Sequence, residues 1–177
     1  IGPNTLGQLN IKRTICLQIF SPEPIKIHIL GKIGSEMLDC AFNLSSSLKL
    51  SKSDKKEKCD LLFYAKETKL DEFEDIAEKI ILGSKAKIKE ADIDFLKAYI
   101  DYAKKIEVGI PPHLSKKLKN FVVDLKKKEK DLKYNVTPSF VSCVVNLCKA
   151  SARMELREEV ESKDLVRVFE IINSIKG

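Results

Sequence analysis

Residues 25–38, IKIHILGKIGSEML, decide the fold class of this chain. The alternation of apolar and polar residues at the start of the stretch predicts a β-strand over residues 25–30. Gly31 and Gly34 break the strand, and Ser35 is a favourable N-cap for a helix that runs to about Leu48. A strand, a glycine turn and a helix in this order begin an α/β unit.

The flanking segments extend this unit over residues 1–83, which we assign to one domain. Residues 49–58 are charged and show no periodicity, so they predict a solvated loop. The remaining segments predict two further helices at residues 6–20 and 68–82 and a second strand at residues 60–65.

The second half of the chain, residues 84–177, predicts an all-α domain. Ser115 and Thr137 are the predicted N-caps of two of its helices, and Pro138 suits a first helical turn. The predicted helices cover residues 91–105, 115–132, 137–156 and 162–175.

The net charge of +6 lies entirely in this second half. Residues 1–83 contain 12 Lys and Arg against 12 Asp and Glu, whereas residues 84–177 contain 20 against 14. A basic surface favours an acidic partner, first of all nucleic acid. Solubility alone explains the same surplus, and composition does not decide between the two.

One predicted helix carries most of the surplus charge. Leu118, Phe121 and Leu125 form its apolar face, so the lysines lie on the outside. They are either a solvated face or contacts to a DNA backbone, and with only four Arg in the chain we expect no base readout. The lysines are Lys116, Lys117, Lys119, Lys126, Lys127, Lys128, Lys130 and Lys133.

Several classes of protein do not fit the sequence. No apolar run approaches the roughly 18 residues of a membrane span, and no signal segment is visible. Because the chain opens on Ile1 rather than Met, we expect a piece of a longer protein. The five Cys are odd in number and scattered, which indicates a reducing compartment. We interpret Cys143 and Cys148 as small buried hydrophobes rather than zinc ligands, since no His lies near them.

Four stretches resemble one family in the family's own order. Residues 1–13, IGPNTLGQLNIKR, with LQIF at 17–20, resemble the entry to the ATPase domain of minichromosome maintenance (MCM) replicative helicases of the archaeal type. The second stretch, residues 25–38, is similar to the family's Walker A region. The third, KCDLLF at 58–63, is similar to its R-F-D-L-I-F segment. The fourth, residues 92–106 and 113–175, is similar to its helical lid. The resemblance implies a truncated AAA+ P-loop-like α/β core with two parallel strands, followed by an all-α AAA+ lid.

The resemblance places a degenerate nucleotide site on the first strand and turn. A working P-loop needs a Lys for the outer phosphates and a hydroxyl for Mg²⁺. The family's G-D-P-G-T-A-K-S falls on residues 31–38, so Met37 replaces the Lys and Leu38 the Mg²⁺-binding Ser. We therefore expect ATP and Mg²⁺ binding to be lost and no cofactor to be bound. The vestigial positions are Gly31, Gly34, Ser35, Met37 and Leu38.

The other catalytic positions of the family are altered as well. Its arginine finger falls on Lys58, which lacks the planar fork of Arg, and its sensor Arg falls on Ser139. Asp71-Glu72 follows no apolar strand, so it is a poor match to Walker B. These departures predict a protein that is not an enzyme.

The resemblance also implies that a large middle section of the family's sheet is missing between Leu48 and Lys58. The strands at 25–30 and 60–65 are expected to remain neighbours. Lys26 and His28 make one face of the first strand polar, and we interpret His28 as an exposed strand residue rather than a catalytic group or ligand. We expect the free edge of this strand either to pair with another copy or to be covered by residues 49–58.

The function expected from all this is a non-catalytic role in DNA replication. The protein would dock on an active MCM subunit, on another replication protein, or on DNA, in the cytoplasm at the nucleoid of a prokaryote or in the nucleus of a eukaryote. Two alternatives remain open at this point. One is a fragment of an ATP-dependent MCM helicase, and the other is a free-standing helical interaction module.

Overall fold

A three-stranded parallel sheet and six α-helices make up the described part of the chain. A computed structural model describes residues 8–31, 35–45, 48–53, 59–65, 74, 77–78, 81, 90–132 and 134–175. The elements of the first part are α1 (Leu9–Ile19), β1 (Lys26–Leu30), α2 (Ser35–Leu44), β2 (Lys49–Ser53) and β3 (Leu61–Tyr64).

The strand order is β2-β1-β3, with both neighbours parallel to the central β1. Ile27 lies opposite Leu50 on one side and opposite Leu61 on the other. Because β1 and β2 are parallel, the chain must cross over between them, and α2 makes this connection. The expectation that the strands at 25–30 and 60–65 remain neighbours is confirmed by the β1–β3 pairing.

The prediction of a solvated loop is wrong for residues 49–53, and the sheet has three strands rather than two. The loop was predicted because residues 49–58 are charged and show no periodicity. In the structure Lys49 and Lys52 are exposed. Lysines are a usual feature of edge strands, where they oppose pairing with further chains. Leu48, which is buried, and Leu50, which packs on the core, attach this edge strand to the rest of the fold.

The position of β2 corrects two further predictions. β1 has partners on both sides, so it has no free edge through which a second copy could pair. Of the two outcomes expected for that edge, cover by residues 49–58 is the one observed, through β2. His28 is fully buried rather than exposed, and its Nδ1 lies 2.6 Å from Ser51 Oγ on β2. A neighbouring strand supplies the hydrogen-bond partner that a buried imidazole requires.

The second part of the chain is helical, as predicted. Thr137 caps its helix, since its Oγ1 accepts a hydrogen bond from the Phe140 N–H at 3.2 Å. Ser115 is not an N-cap, because the helix already begins at Pro112, where proline suits the first turn. The elements are α3 (Glu90–Lys104), α4 (Pro112–Lys127), a 3₁₀ turn (Glu129–Asp131), α5 (Pro138–Met154) and α6 (Ser162–Ser174).

Other predicted features lie outside the described residues. These are most of the helix at 68–82, Asp71-Glu72, and the domain boundary at residues 83 and 84.

One hydrophobic core runs through the sheet and the helices. Helix α1 contacts α2, α5 and α6, and its buried side chains include Ile15 and Leu17. Phe20, just after α1, meets Tyr99 of α3 edge to face, with ring centroids 6.1 Å apart. Among the described helices, none is long and apolar enough to cross a membrane.

A buried ion pair connects α6 to the segment between α5 and α6. Asp164 is fully buried and accepts hydrogen bonds from both Nη atoms of Arg157, at 2.8 and 2.9 Å. The Ser151 hydroxyl and the Glu161 N–H also donate to it, at 2.6 and 2.8 Å. Burial alone would raise the pKa of Asp164, but the hydrogen bonds from Arg157, Ser151 and Glu161 together lower it below its ordinary value.

Replacing Asp164 by Asn is expected to lower the free energy of unfolding at pH 7 by about 3 kcal/mol, because the guanidinium of Arg157 loses its buried counterion. Urea denaturation measures the loss. Glu170→Gln removes only an exposed ion pair to Arg13 and is the matched control, with an expected change below about 1 kcal/mol.

The same substitution should change how the free energy of unfolding depends on pH. Because the folded-state pKa of Asp164 lies below its ordinary value of 3.8, its stabilisation is present above that pH and is lost as the pH falls through the folded pKa. The wild-type protein should therefore lose more stability than Asp164→Asn on acidification below about pH 4. Equal acid sensitivity in the two proteins would contradict this account.

Candidate functional site

The turn after β1 begins at a glycine with a left-handed backbone conformation. Gly31 has a φ of +101°, which L-residues with a side chain rarely adopt. A Cβ built at Gly31 would lie 3.3 Å from both the Cβ and the carbonyl oxygen of Ala65. The positive φ and the closeness of Ala65, just after β3, therefore both favour glycine at this position. Gly34 lies outside the described residues.

Met37 and Leu38, which the resemblance aligns with the P-loop Lys and the Mg²⁺-binding Ser, contribute to packing in this chain. Met37 is fully buried in the hydrophobic core, and Leu38 packs against the same core. Ser35 is the first residue of α2. A thioether and an isobutyl group can neither neutralise a phosphate nor ligate Mg²⁺, so the side chains at 37 and 38 do not fit bound ATP–Mg²⁺.

Asp60 connects the sheet to the helical part at the other end of the strands. Its Oδ2 accepts the Lys26 N–H at 2.8 Å, and its own N–H donates to the Lys26 carbonyl at 2.9 Å. Its Oδ1 accepts a short hydrogen bond from the hydroxyl of Ser139, in the first turn of α5. One carboxylate thus aligns β3 with β1 and holds the start of α5 beside them.

The structure therefore separates the predicted catalytic positions into two groups. Gly31 follows the carboxyl end of β1, whereas Ser139 contacts Asp60 at the amino ends of the parallel strands. The length of the five-residue β1 puts these two ends roughly 13 Å apart. Lys58, which the resemblance aligns with the arginine finger, lies outside the described residues, two positions before Asp60.

The amphipathic helix is confirmed as α4, although it ends at Lys127 and not near residue 132. Leu118 and Leu125 are buried, and Phe121 stacks on Phe169 of α6 with ring centroids 3.7 Å apart. The opposite face and the turn after it expose five lysines that form no ion pair within the described part of the chain. We call these the basic face: Lys116, Lys117, Lys119, Lys128 and Lys130.

Two of the eight predicted lysines have structural partners, and one lies outside the described residues. Lys126 donates to Glu129 at 2.7 Å and to the Val136 carbonyl at 3.1 Å, so it holds the 3₁₀ turn. Lys127 pairs with Asp124 at 3.4 Å. Lys133 is the residue that is not described.

The prediction that Cys143 and Cys148 are buried is confirmed. Cys143 and Cys148 are buried, and burial raises the pKa of the Cys148 thiol to about 12. Such thiols remain protonated, and a metal ion prefers the thiolate. No group of three or more His, Cys, Asp or Glu side chains in the described ranges could hold a metal ion.

A comparison with known families concerns the helical part. Residues 94–176 match the MCM AAA-lid domain. The helical part of the chain is similar to the lid of MCM proteins over these residues. The matched region contains the basic face, Ser139 and the buried Asp164–Arg157 pair. No curated protein matches the chain significantly.

The match supports the recognition of the family for the helical part, and the structure shows a short α/β part followed by helices. The match does not extend over the first part of the chain, where the vestigial nucleotide positions lie.

The link through Asp60 was not identified from the sequence. Asp60 stands at the start of an apolar strand, and its acceptor atoms meet residues 34 and 79 positions away. The sequence feature that indicates such a link is a single carboxylate directly before a buried strand, because the carboxylate oxygens need hydrogen-bond donors.

Replacing Asp60 by Ala is expected to lower the free energy of unfolding by about 1–2 kcal/mol, because the Lys26 N–H and the Ser139 hydroxyl lose their acceptor. Ser139→Ala should cost less, and the double variant less than the sum of the two. Urea denaturation measures all three. Asp124→Ala is the control, since Asp124 only pairs with Lys127 at the surface. Additive losses would show that Asp60 and Ser139 are not coupled.

Proposed function

We propose that this MCM-related protein is a non-catalytic partner in DNA replication, which docks on DNA or on an active MCM subunit without hydrolysing ATP. The observation that carries the proposal is the complete burial of Met37 at the position of the P-loop lysine. A working site needs a cation there that reaches the outer phosphates. In this chain that position is part of the core.

The energetics of the Met37 position support the loss of nucleotide binding. An ammonium group placed in an apolar core loses its hydration, which costs several kcal/mol unless the group becomes neutral. A functional P-loop lysine avoids this cost because it lies in a polar phosphate site. The Met37 position therefore favours an apolar side chain and disfavours the residue that ATP binding requires.

We expect Met37→Lys to lower the free energy of unfolding by at least about 3 kcal/mol, because it buries a charge without a partner. Met37→Leu keeps a similar volume and should cost less than about 1.5 kcal/mol. Urea denaturation at pH 7 measures both. The wild-type melting temperature should not change with millimolar ATP–Mg²⁺, whereas occupancy at one hundred times the Kd would stabilise a binding protein by about 2.7 kcal/mol.

The opposite results would favour an ATP-dependent helicase fragment. These are a rise in melting temperature with ATP–Mg²⁺, or a Met37→Lys protein as stable as the wild type. ATP hydrolysis by the Met37→Lys, Leu38→Ser double variant would also contradict the proposal. It would show that the chain lacks only these two side chains and that the rest of a catalytic site is intact.

Docking on DNA is supported by the basic face. Helix α4 has 16 residues, which gives it a length of about 24 Å, or roughly seven base pairs of DNA. Lysine side chains act as mobile point charges, which suit phosphates better than base edges. We infer that any DNA contact is to the backbone, without sequence preference, in the nucleoid of a prokaryote or the nucleus of a eukaryote.

Changing Lys116 and Lys119 to Gln should weaken binding to a fluorescent duplex and reduce its salt dependence. Each lost phosphate contact lowers the slope of log K against log salt by about 0.9. The double variant should therefore lower it by about 1 to 2, as measured by fluorescence anisotropy at several salt concentrations. The matched control replaces Lys97 and Lys105, which are exposed on and just after α3, and should leave the slope unchanged.

Equal slopes in the two double variants, or no binding to DNA at low salt, would contradict the DNA part of the proposal. Sedimentation of the chain together with a purified active MCM subunit then separates the remaining possibilities. Co-sedimentation supports docking on the helicase, and its absence favours a free-standing helical interaction module.

A further inference from the structure

Helix α3 is built from two copies of one seven-residue pattern. Residues 91–97 read ADIDFLK and residues 98–104 read AYIDYAK, so Ala, Ile, Asp and Lys recur seven residues apart. Because seven residues complete about two turns, a seven-residue period keeps equivalent positions on one side of a helix. The pattern gives α3 two apolar seams on opposite sides, which we call the inner seam and the outer seam.

The inner seam attaches α3 to the rest of the fold. Its members Ile100 and Ala103 are buried. Beside them, the Tyr99 hydroxyl donates a hydrogen bond to the Met154 carbonyl at 2.8 Å, and the Tyr99 ring meets Phe20 edge to face. These contacts fix α3 through one side of the helix.

The outer seam is a continuous exposed strip. It consists of Ala91, Phe95, Ala98 and Tyr102, with spacings of four, three and four residues. All four are exposed, Phe95 by 69% and Tyr102 by 62%. The strip is about 16 Å long. Single exposed apolar residues are ordinary on a protein surface, but a strip with this spacing is the surface on which a second helix packs.

Carboxylates flank the outer seam. Asp94 and Asp101 directly precede the two aromatic residues, and Asp92 lies on the other side of the seam. All three side chains are exposed, and none forms an ion pair within the part of the chain that the structure describes. Their negative charges are therefore available to a partner.

The lysines of the same helix do not balance these carboxylates at the seam. Lys97 and Lys104 lie about 60° further round the helix than the aspartates, on the side away from the seam. Lys104 also donates to the Ser45 hydroxyl at 3.3 Å. Lys105, just after α3, is exposed and adds one ammonium group at the end of the seam. Three carboxylates against one ammonium leave the flanks negative, which favours a basic occupant.

We propose that the outer seam binds an amphipathic helix of a partner protein, with aliphatic side chains along its own seam and Lys or Arg beside them. The aliphatic side chains would pack over Ala91 and Ala98, between the rings of Phe95 and Tyr102. The basic side chains would pair with the flanking aspartates. Aromatic residues at the centre of an apolar strip are the ones that most often dominate binding energy.

A second copy of the chain and DNA fit this surface less well. If two α3 helices packed antiparallel, Asp94 of one copy would face Asp101 of the other, and like charges oppose the contact. In a parallel pair Asp94 would face Tyr99, so no carboxylate would meet a cation. The phosphates of DNA would meet the same unpaired carboxylates. A basic helix is the occupant that the charges favour.

This inference goes beyond the proposed function, because it concerns a different helix and needs neither DNA nor the loss of ATP binding. Its failure would leave the tests of Met37 and of the basic face unaffected, and the reverse also holds.

The probe is a fluorescent helical peptide of about 20 residues, a length at which isolated helices become stable in water. Leu and Ala alternate along its seam with heptad spacing, and Lys occupies the flanking positions. One companion peptide carries Glu in place of Lys, and another carries Gln in place of the seam Leu. Fluorescence anisotropy measures the binding of each peptide to the full chain, up to about 1 mM protein.

The expected result is saturable binding of the Lys peptide, at least about tenfold tighter than that of either companion. Phe95→Ala should weaken it at least about tenfold, because the ring at the centre of the seam is lost. Leu9→Ala is the matched control, since it truncates a 58% exposed side chain on α1, and it should bind like the wild type. Thermal unfolding checks that both variants remain folded.

The flanking charges have their own test. Replacing Asp94 and Asp101 by Asn should weaken the Lys peptide about threefold to tenfold at low salt and reduce the salt dependence of its binding. The matched control replaces Asp124 by Asn and Glu170 by Gln, which removes two exposed carboxylates from α4 and α6. The control should leave the affinity unchanged.

Four outcomes would overturn the inference. The first is no binding of the Lys peptide at the highest protein concentration. The second is equal binding of the Lys peptide and either companion, which would show that charge or the apolar strip alone is responsible. The third is equal affinity of Phe95→Ala and Leu9→Ala. The fourth is dimerisation of the chain in sedimentation equilibrium that Phe95→Ala abolishes, which would make a second copy the occupant.

Discussion

The burial of α1 between α2 and the lid is the interaction on which the rest of the structure depends. A small parallel sheet needs helices over its faces to be stable. Helix α1 contacts α2 on the sheet side and α5 and α6 on the lid side, and Ile15 and Leu17 are almost completely buried. The small α/β part therefore obtains its core from the lid.

This constraint accounts for the apolar side chains at the positions aligned with the P-loop. A small sheet has few side chains with which to build a core, so each inward position near it contributes to stability. Met37 and Leu38 contribute in this way. A polar phosphate site at the same place would remove them from the core. The proposed loss of nucleotide binding and the proposed role in docking are thus consistent with the same packing requirement.

The buried carboxylate of the lid is paired, whereas its unpaired lysines stay at the surface. Inside the lid, Asp164 is buried because Arg157 and Ser151 satisfy its oxygens. Outside it, the lysines of α4 remain in water and contribute to the positive surface. Between α1 and α6 the side chains leave a cavity, and the cations beside it are paired with carboxylates.

The sequence by itself determined the helices of the lid, the strand at 25–30 and the apolar character of position 37, because these depend on local periodicity and residue type. The sequence-based prediction was wrong for Lys49–Ser53, because a polar edge strand resembles a loop in its composition. It was also wrong for His28, because the burial of His28 depends on that strand. Only the tertiary structure decided the link from Asp60 to Ser139 and the cavity beside Met154. Both join residues far apart in the chain, and no local pattern records which distant side chains will meet.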